Sequence, residues 1–148
     1  MSETRQPLRG ERILVTGPAG RVAHPLAVRL ARDNEVWGIA RFGNAADRER
    51  LEAAGVRTRR VDLAAPDWSG LPADVTLVLH FAAAIGPTLG FDEAIRVNAE
   101  GTGRLMSRFR SARAILVASS RSVYAEPEDP DRALLESDPL GGDAPTPY

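Results

Sequence analysis

Apolar positions along this chain fall into short runs that alternate with stretches of helical periodicity. "RILVTG" (residues 12–17) is a β-branched run closed by glycine, the pattern of a buried strand. "RVAHPLAVRLARD" (21–33) brings Val22, Leu26 and Leu30 round every four residues, with Arg29 and Arg32 opposite, which predicts an amphipathic helix. Pro25 would remove a hydrogen bond from the helix interior, so it is placed early in the helix. "EVWGIAR" (35–41) reads as a second strand and "AADRERLEAAG" (45–55) as a helix closed by Gly55. "VRTRRVDL" (56–63) predicts a third strand. "DVTLVLHFAAA" (74–84) predicts a fourth, apolar enough to be buried on both faces. The longest helix is expected over about 91–109, with Phe91, Ile95, Thr102, Leu105, Met106 and Phe109 on one stripe. "RAILVASS" (113–120) reads as a fifth strand, and the segment from Arg121 onward, rich in Pro, Asp and Gly, as loop.

Strands alternating with helices predict an α/β fold, a parallel sheet wound right-handedly with helices on both faces. The connection "AAPDWSGLPA" (64–73) is too short and proline-rich for an ordinary crossover helix. The 148 residues suffice for one domain with a single core.

Composition narrows the function classes. A net charge of −1 gives no electrostatic reason to expect nucleic acid as a partner. The absence of cysteine removes disulfide and thiolate-metal chemistry, and two histidines are too few for a His-rich metal site, so none is expected. No apolar run reaches the roughly 18 residues needed to span a bilayer, and "MSETRQPLRGER" has no signal-peptide core. A soluble, cytoplasmic protein without membrane contact is the expectation. All 19 basic residues are arginine.

Candidate chemistry clusters where strands end. In "VTGPAGRVA", Gly17, Gly20 and Ala23 have the spacing GxxGxxA at a strand-to-helix junction. Glycine permits a positive φ at the turn, a second glycine lets backbone approach a diphosphate, and a small third residue lets helix pack against strand. Free N–H groups at the helix start attract an anion. A tight turn with no ligand is the competing reading. At the end of the second strand, "GIAR" has Ala40 and Arg41 where an acid would bind the 2′-hydroxyl of NAD. A guanidinium there fits a 2′-phosphate and favours NADP, unless Arg41 is only a solvated charge. Asp62 ends the third strand and either accepts from an adenine amino group or caps a turn. Asn98, on the apolar side of the long helix, needs partners and is expected to hold neighbouring backbone or cofactor-shell groups. Gly101 and Gly103 each cost the helix about 1 kcal/mol relative to alanine, which close backbone approach or a kink would explain. His80 ends the fourth strand facing the crevice and reads as structural rather than catalytic; His24 reads as structural or exposed. Ser119, Ser120 and Ser122 put hydroxyls at the carboxyl edge of the sheet.

"TGPAGRVA", "VDL", "LHFAAA", "VNAEGT" and "VASSRSVYAEP", in this order, resemble the extended short-chain dehydrogenases/reductases, the NAD(P)-dependent epimerase/dehydratase group. The resemblance covers about residues 12–148. It implies a Rossmann-type fold, here truncated after the fifth strand, with the carboxyl-terminal substrate domain absent, so that 1–148 is an incomplete NAD(P)-binding domain. It implies that Gly17, Ala19, Gly20, Arg21, Val22, Arg41, Asp62, Leu63, Phe81, Ala82, Ala83, Asn98 and Ser119 bind NADP or NAD. In this family a Ser or Thr, a Tyr, and a Lys four residues after the Tyr do the chemistry. Ser120 matches the hydroxyl position and Tyr148, following "PTP", the tyrosine; the lysine position falls beyond residue 148. A phenol titrates near about 10, so it needs that cation to act as a base near neutral pH. Ala23, Arg41 and Ala125 depart from the family's usual glycine, acid and glycine. The implied activity is epimerase/dehydratase or reductase chemistry on a nucleotide sugar or similar secondary alcohol or ketone, in a homodimer. The alternative is a noncatalytic dinucleotide-binding sensor or interaction module.

Overall fold

The computed structural model describes residues 7–86, 88–127, 129 and 131–141. Five strands, β1 (Arg12–Thr16), β2 (Glu35–Ala40), β3 (Arg57–Arg60), β4 (Leu77–His80) and β5 (Ala114–Val117), form one parallel sheet in the order β3-β2-β1-β4-β5. From β1 the chain winds outward to β3, then crosses back to lay β4 on the other side of β1. Connections leaving β1 and β4 therefore diverge, and a crevice opens at the carboxyl ends of these strands.

Alternation along each strand divides the core into two layers. Ile13, Val15, Val36 and Leu77 point to one face, where α1 (Ala23–Leu30) and α2 (Ala45–Ala53) cover them with Ala23, Ala27 and Leu51. Leu14, Ile39 and Val78 point to the other, against Leu105 and Phe109. The expected parallel sheet with helices on both faces is present. The connection 64–73 carries no helix. Its Trp68 ring instead meets Phe109 edge-on, centroids 5.8 Å apart, so side chains seal the face that a crossover helix would otherwise cover.

Two helical faces differ from the sequence expectation. Helix α1 buries Ala23 and Ala27, with Leu30 partly buried against the same core, whereas Val22 is 69% exposed and Leu26 is not part of the core. The helix starts only at Ala23, and small side chains let it lie close on the sheet. This start also resolves Pro25, now the third helical residue, where an amide proton would have no intrahelical partner. The long helix is not one α-helix: α3 (Phe91–Ala94) passes through a π-helical segment (Ile95–Glu100) into α4 (Gly101–Arg108). The Gly101 amide donates to the Arg96 carbonyl, five residues back. This wider turn breaks the stripe: Ala94, Gly101, Leu105 and Phe109 are buried, whereas Phe91, Ile95 and Met106 face outward.

Gly101 sits where a Cβ would fall 2.9 Å from both the Cβ and the carbonyl oxygen of Leu63. Close backbone approach accounts for this glycine. At Gly103 a Cβ would meet open space, so close approach does not account for it. The edge strand β3 exposes Arg57 and Arg60, and Arg57 and Arg59 pair with Glu35 and Asp67. Edge strand β5 is apolar, with Leu116 and Val117 exposed. The segment after β5, expected as loop, contains a 3₁₀ turn (Arg121–Val123) and an antiparallel bridge between Tyr124 and Leu140. Among the described residues no helix is long and apolar enough to cross a membrane, and no cluster of His, Asp and Glu could hold a metal ion.

Candidate functional site

The crevice is a cleft of about 390 Å³ at the carboxyl ends of β1, β2 and β4. Its floor is the turn after β1. Gly17 has φ +65°, the left-handed conformation that glycine adopts freely, and its amide donates to the Ile39 carbonyl at 2.9 Å. A Cβ on Gly17 would lie 3.1 Å from the Ala82 backbone. The Gly20 amide closes the turn onto the Gly17 carbonyl at 2.9 Å, and a Cβ on Gly20 would crowd that carbonyl at 3.2 Å. Helix α1 begins beyond the turn with no side-chain cap and no acidic residue in its first turn, so its positive end is unneutralised.

Of the residues that the family resemblance implies bind coenzyme, Gly17, Ala19, Gly20, Arg41, Asp62, Leu63, Phe81, Ala82 and Ala83 line this cleft. Arg21 and Val22 do not; both are exposed at the start of α1. Arg41 is exposed and forms no ion pair among the described residues. Phe42 follows it with φ +45°, a left-handed turn by a non-glycine residue that bends the chain just past the guanidinium. Asp62 accepts from the Ala64 amide at 3.0 Å through one oxygen, so it caps a turn while lining the cleft. Sequence reasoning missed Ile39, Val61, Ala84, Ile85 and Val97 as lining residues. Their signal was only that an apolar strand end or helix face must adjoin the crevice.

A second pocket, about 120 Å³, adjoins the first through Ala82 and Ala83 and is lined also by His80, Asn98, Thr102, Ser119 and Ser120. Ser120 is the half-buried N-cap of the 3₁₀ turn: its Oγ accepts from the Ser122 amide at 3.3 Å and lies 2.8 Å from the Ser122 hydroxyl. Tyr148 lies outside the described residues.

Side chains hold the loop between the pockets. Thr16 Oγ1 accepts from the Phe81 amide at 3.2 Å and the Ala82 amide at 2.9 Å. Asn98 donates to the Ala84 carbonyl at 2.9 Å and accepts from the Ala84 amide at 2.7 Å, imitating a neighbouring strand. His80, buried at 3% exposure, stands between these anchors: Nδ1 is 2.6 Å from Thr16 Oγ1 and Nε2 is 2.8 Å from Thr102 Oγ1. The Thr102 hydroxyl donates to the Asn98 carbonyl at 2.6 Å. The bonding pattern assigns the tautomer. Two amides occupy the acceptor sites of Thr16, so its proton goes to Nδ1. Thr102 has given its proton to Asn98, so Nε2–H donates to Thr102. His80 is thus neutral and satisfied, in agreement with its structural reading.

Burial holds the His80 pKa below its ordinary value of about 6.5. Between the lowered pKa and ~6.5 the unfolded chain binds a proton that the folded chain does not, so stability rises with pH through that window and this contribution is flat above it. Urea denaturation across pH 5–8 should show this slope, and His80→Gln should remove its share.

A left-handed glycine turn at a strand-to-helix junction, facing a crevice at the sheet's switch point, defines a Rossmann-type α/β domain. The chain belongs to the NAD dependent epimerase/dehydratase family, whose model matches residues 13–148. The fold is similar to UDP-glucuronic acid 4-epimerase from Bacillus cereus in complex with NAD (TM-score 0.76, 26% identity, covering 93% of this chain and 47% of that one). It is also similar to UDP-N-acetylglucosamine 4-epimerase from Methanobrevibacter ruminantium M1 in complex with UDP-N-acetylmuramic acid (0.76, 20%, 93% and 46%). A UDP-galactose 4-epimerase gives 0.72 and 24%, covering 90% of this chain and 45% of that one. The chain spans about half the length of these proteins. No curated protein sequence matches it.

Proposed function

We propose that the cleft binds a nicotinamide dinucleotide, NADP in preference to NAD, and that the second pocket receives a secondary alcohol or ketone of the nucleotide-sugar class. The observation that carries this reading is the floor of the cleft: the left-handed turn at Gly17, closed by Gly20 and followed by the uncapped start of α1, lies in one crevice with Arg41 and Asp62. The residues present fit the coenzyme. The Gly17–Gly20 turn and the uncapped start of α1 would hold the diphosphate, Asp62 the adenine amino group, and Arg41 a 2′-phosphate. When bound, the coenzyme supplies hydride exchange with the substrate carbon. Ser120 would orient the reacting oxygen by hydrogen bonding, and Tyr148, matched by sequence position, would donate or withdraw its proton. The outward-facing Phe91, Ile95 and Met106 support a homodimer through the long helix.

The test is calorimetry with both coenzymes, followed by turnover assays on a panel of UDP-sugars. Binding of neither coenzyme would overturn the reading. NADPH should bind more tightly than NADH, and Arg41→Ala should erase most of the difference. A charge-assisted hydrogen bond is worth roughly 1.5–3 kcal/mol, so the preference should fall by about tenfold or more. Equal affinities in the unaltered chain would refute the NADP assignment.

A further inference from the structure

We propose that His80 is a positioning residue for the coenzyme: through Thr16 it fixes the 81–84 loop against the cleft, and only its neutral form leaves that loop fully bonded. The inference rests on the coenzyme reading of the cleft and turns on the directions in which protons are donated. Thr16 Oγ1 has one proton and two acceptor sites, and all three are used, by His80 Nδ1 at 2.6 Å, Phe81 N at 3.2 Å and Ala82 N at 2.9 Å. Protonation puts a hydrogen on Nδ1 aimed at an oxygen with no acceptor site left. Either the Phe81 or the Ala82 amide must then release Thr16, and both residues line the cleft. Nε2 donates to Thr102 in either state, so the disturbance falls on the coenzyme side.

The surroundings are built for the neutral ring. From β1 the ring meets Thr16, from the long helix Thr102, whose hydroxyl is bonded in turn to the Asn98 carbonyl, and in β5 its register partner is Val117. Neither β4 nor β5 carries another titratable side chain. On the long helix Glu100 and Arg104 pair with each other at 2.8 Å, and Arg96 is exposed. In β1, Arg12 lies at the opposite end, paired with Glu35 and Asp74. Burial is what disfavours the charged ring, and among the described residues no neighbouring charge contributes.

Two readouts test this. The first is amide hydrogen exchange at Phe81 and Ala82, which reports the loop without coenzyme. The second is coenzyme affinity across pH. His80→Leu, which cannot receive the Thr16 proton, should speed exchange at one or both amides and weaken coenzyme binding by about tenfold, while circular dichroism shows the sheet intact. His80→Gln offers an acceptor and a donor but does not titrate. It should restore much of the affinity, and affinity should no longer fall as acid protonates His80 in the unaltered chain. Should His80→Leu not fold, the acid titration of Phe81 and Ala82 exchange in the unaltered chain, compared with His80→Gln, decides. Unchanged exchange at both amides in folded His80→Leu would overturn the inference, as would the same acid dependence in His80→Gln as in the unaltered chain. Failure of the unaltered chain to bind either coenzyme would instead count against the cleft assignment, and exchange would still judge the role of His80.

Discussion

Gly17→Val is expected to leave the chain unable to bind either coenzyme measurably. Three effects act together. A residue with a Cβ pays roughly 1–2 kcal/mol for the left-handed conformation that Gly17 adopts at φ +65°. Its Cβ would lie 3.1 Å from the Ala82 nitrogen and Cα, backbone atoms that move only with the loop. The methyl groups of valine would enter the space where backbone must approach a diphosphate. An affinity loss of at least about 100-fold corresponds to about 2.7 kcal/mol, within reach of these combined terms. Gly20→Asp provides a separate test, because no positive φ is involved there. Its carboxylate would put a negative charge at the uncapped start of α1, in competition with the diphosphate. Calorimetry on protein shown to be folded makes the measurement. Unchanged affinity in either variant would remove the cleft as the coenzyme site.

The second large effect concerns stability, and it contrasts two glycines in one helix. Alanine is favoured over glycine in a helix interior by about 1 kcal/mol. At Gly103, where a Cβ meets nothing within 4 Å, Gly103→Ala should realise that gain. At Gly101 the same Cβ would stand 2.9 Å from Leu63 backbone and side chain, and overpacking of this kind costs about 1–3 kcal/mol. Gly101→Ala should therefore be net destabilising, and Gly101→Val more so. A shift of about 2–4 °C in Tm per kcal/mol makes the opposite signs easy to resolve. Because Leu63 lines the cleft, Gly101→Ala should also weaken coenzyme binding. Stabilisation by Gly101→Ala equal to that by Gly103→Ala would refute the close-packing account.

The sheet was legible because the apolar runs at 12–17, 35–41 and 74–84 are short, bounded and separated by polar segments. The glycine turn was legible for the same reason: Gly17 and Gly20 sit at a strand end, where spacing acquires a physical meaning. Rotation of helices was not. Val22 and Leu26 look like a buried stripe, but the sheet accepts only the small Ala23 and Ala27 at close range, a choice set by tertiary packing. The π-helical turn has no periodic signature, so Phe91, Ile95 and Met106 could not be told from Leu105 and Phe109. Asn98 was recognisable as a polar group in need of partners; that they are both backbone groups of Ala84 depends on the loop that carries them. The pairing of His80 with Thr16 and Thr102 links positions 64 and 22 residues apart and becomes visible only when the sheet is assembled.

The two rims of the sheet differ in what they will admit. Strand β3, Arg-Thr-Arg-Arg, lines its rim with long charged side chains, two of them ion-paired with Glu35 and Asp67, and charged side chains on an edge hinder another chain docking alongside. Strand β5, Ala-Ile-Leu-Val, has no such guard, and its exposed Leu116 and Val117 add apolar surface for an incoming partner. A strand laid against the sheet would therefore meet apolar surface beside β5 and a fence of arginine side chains beside β3.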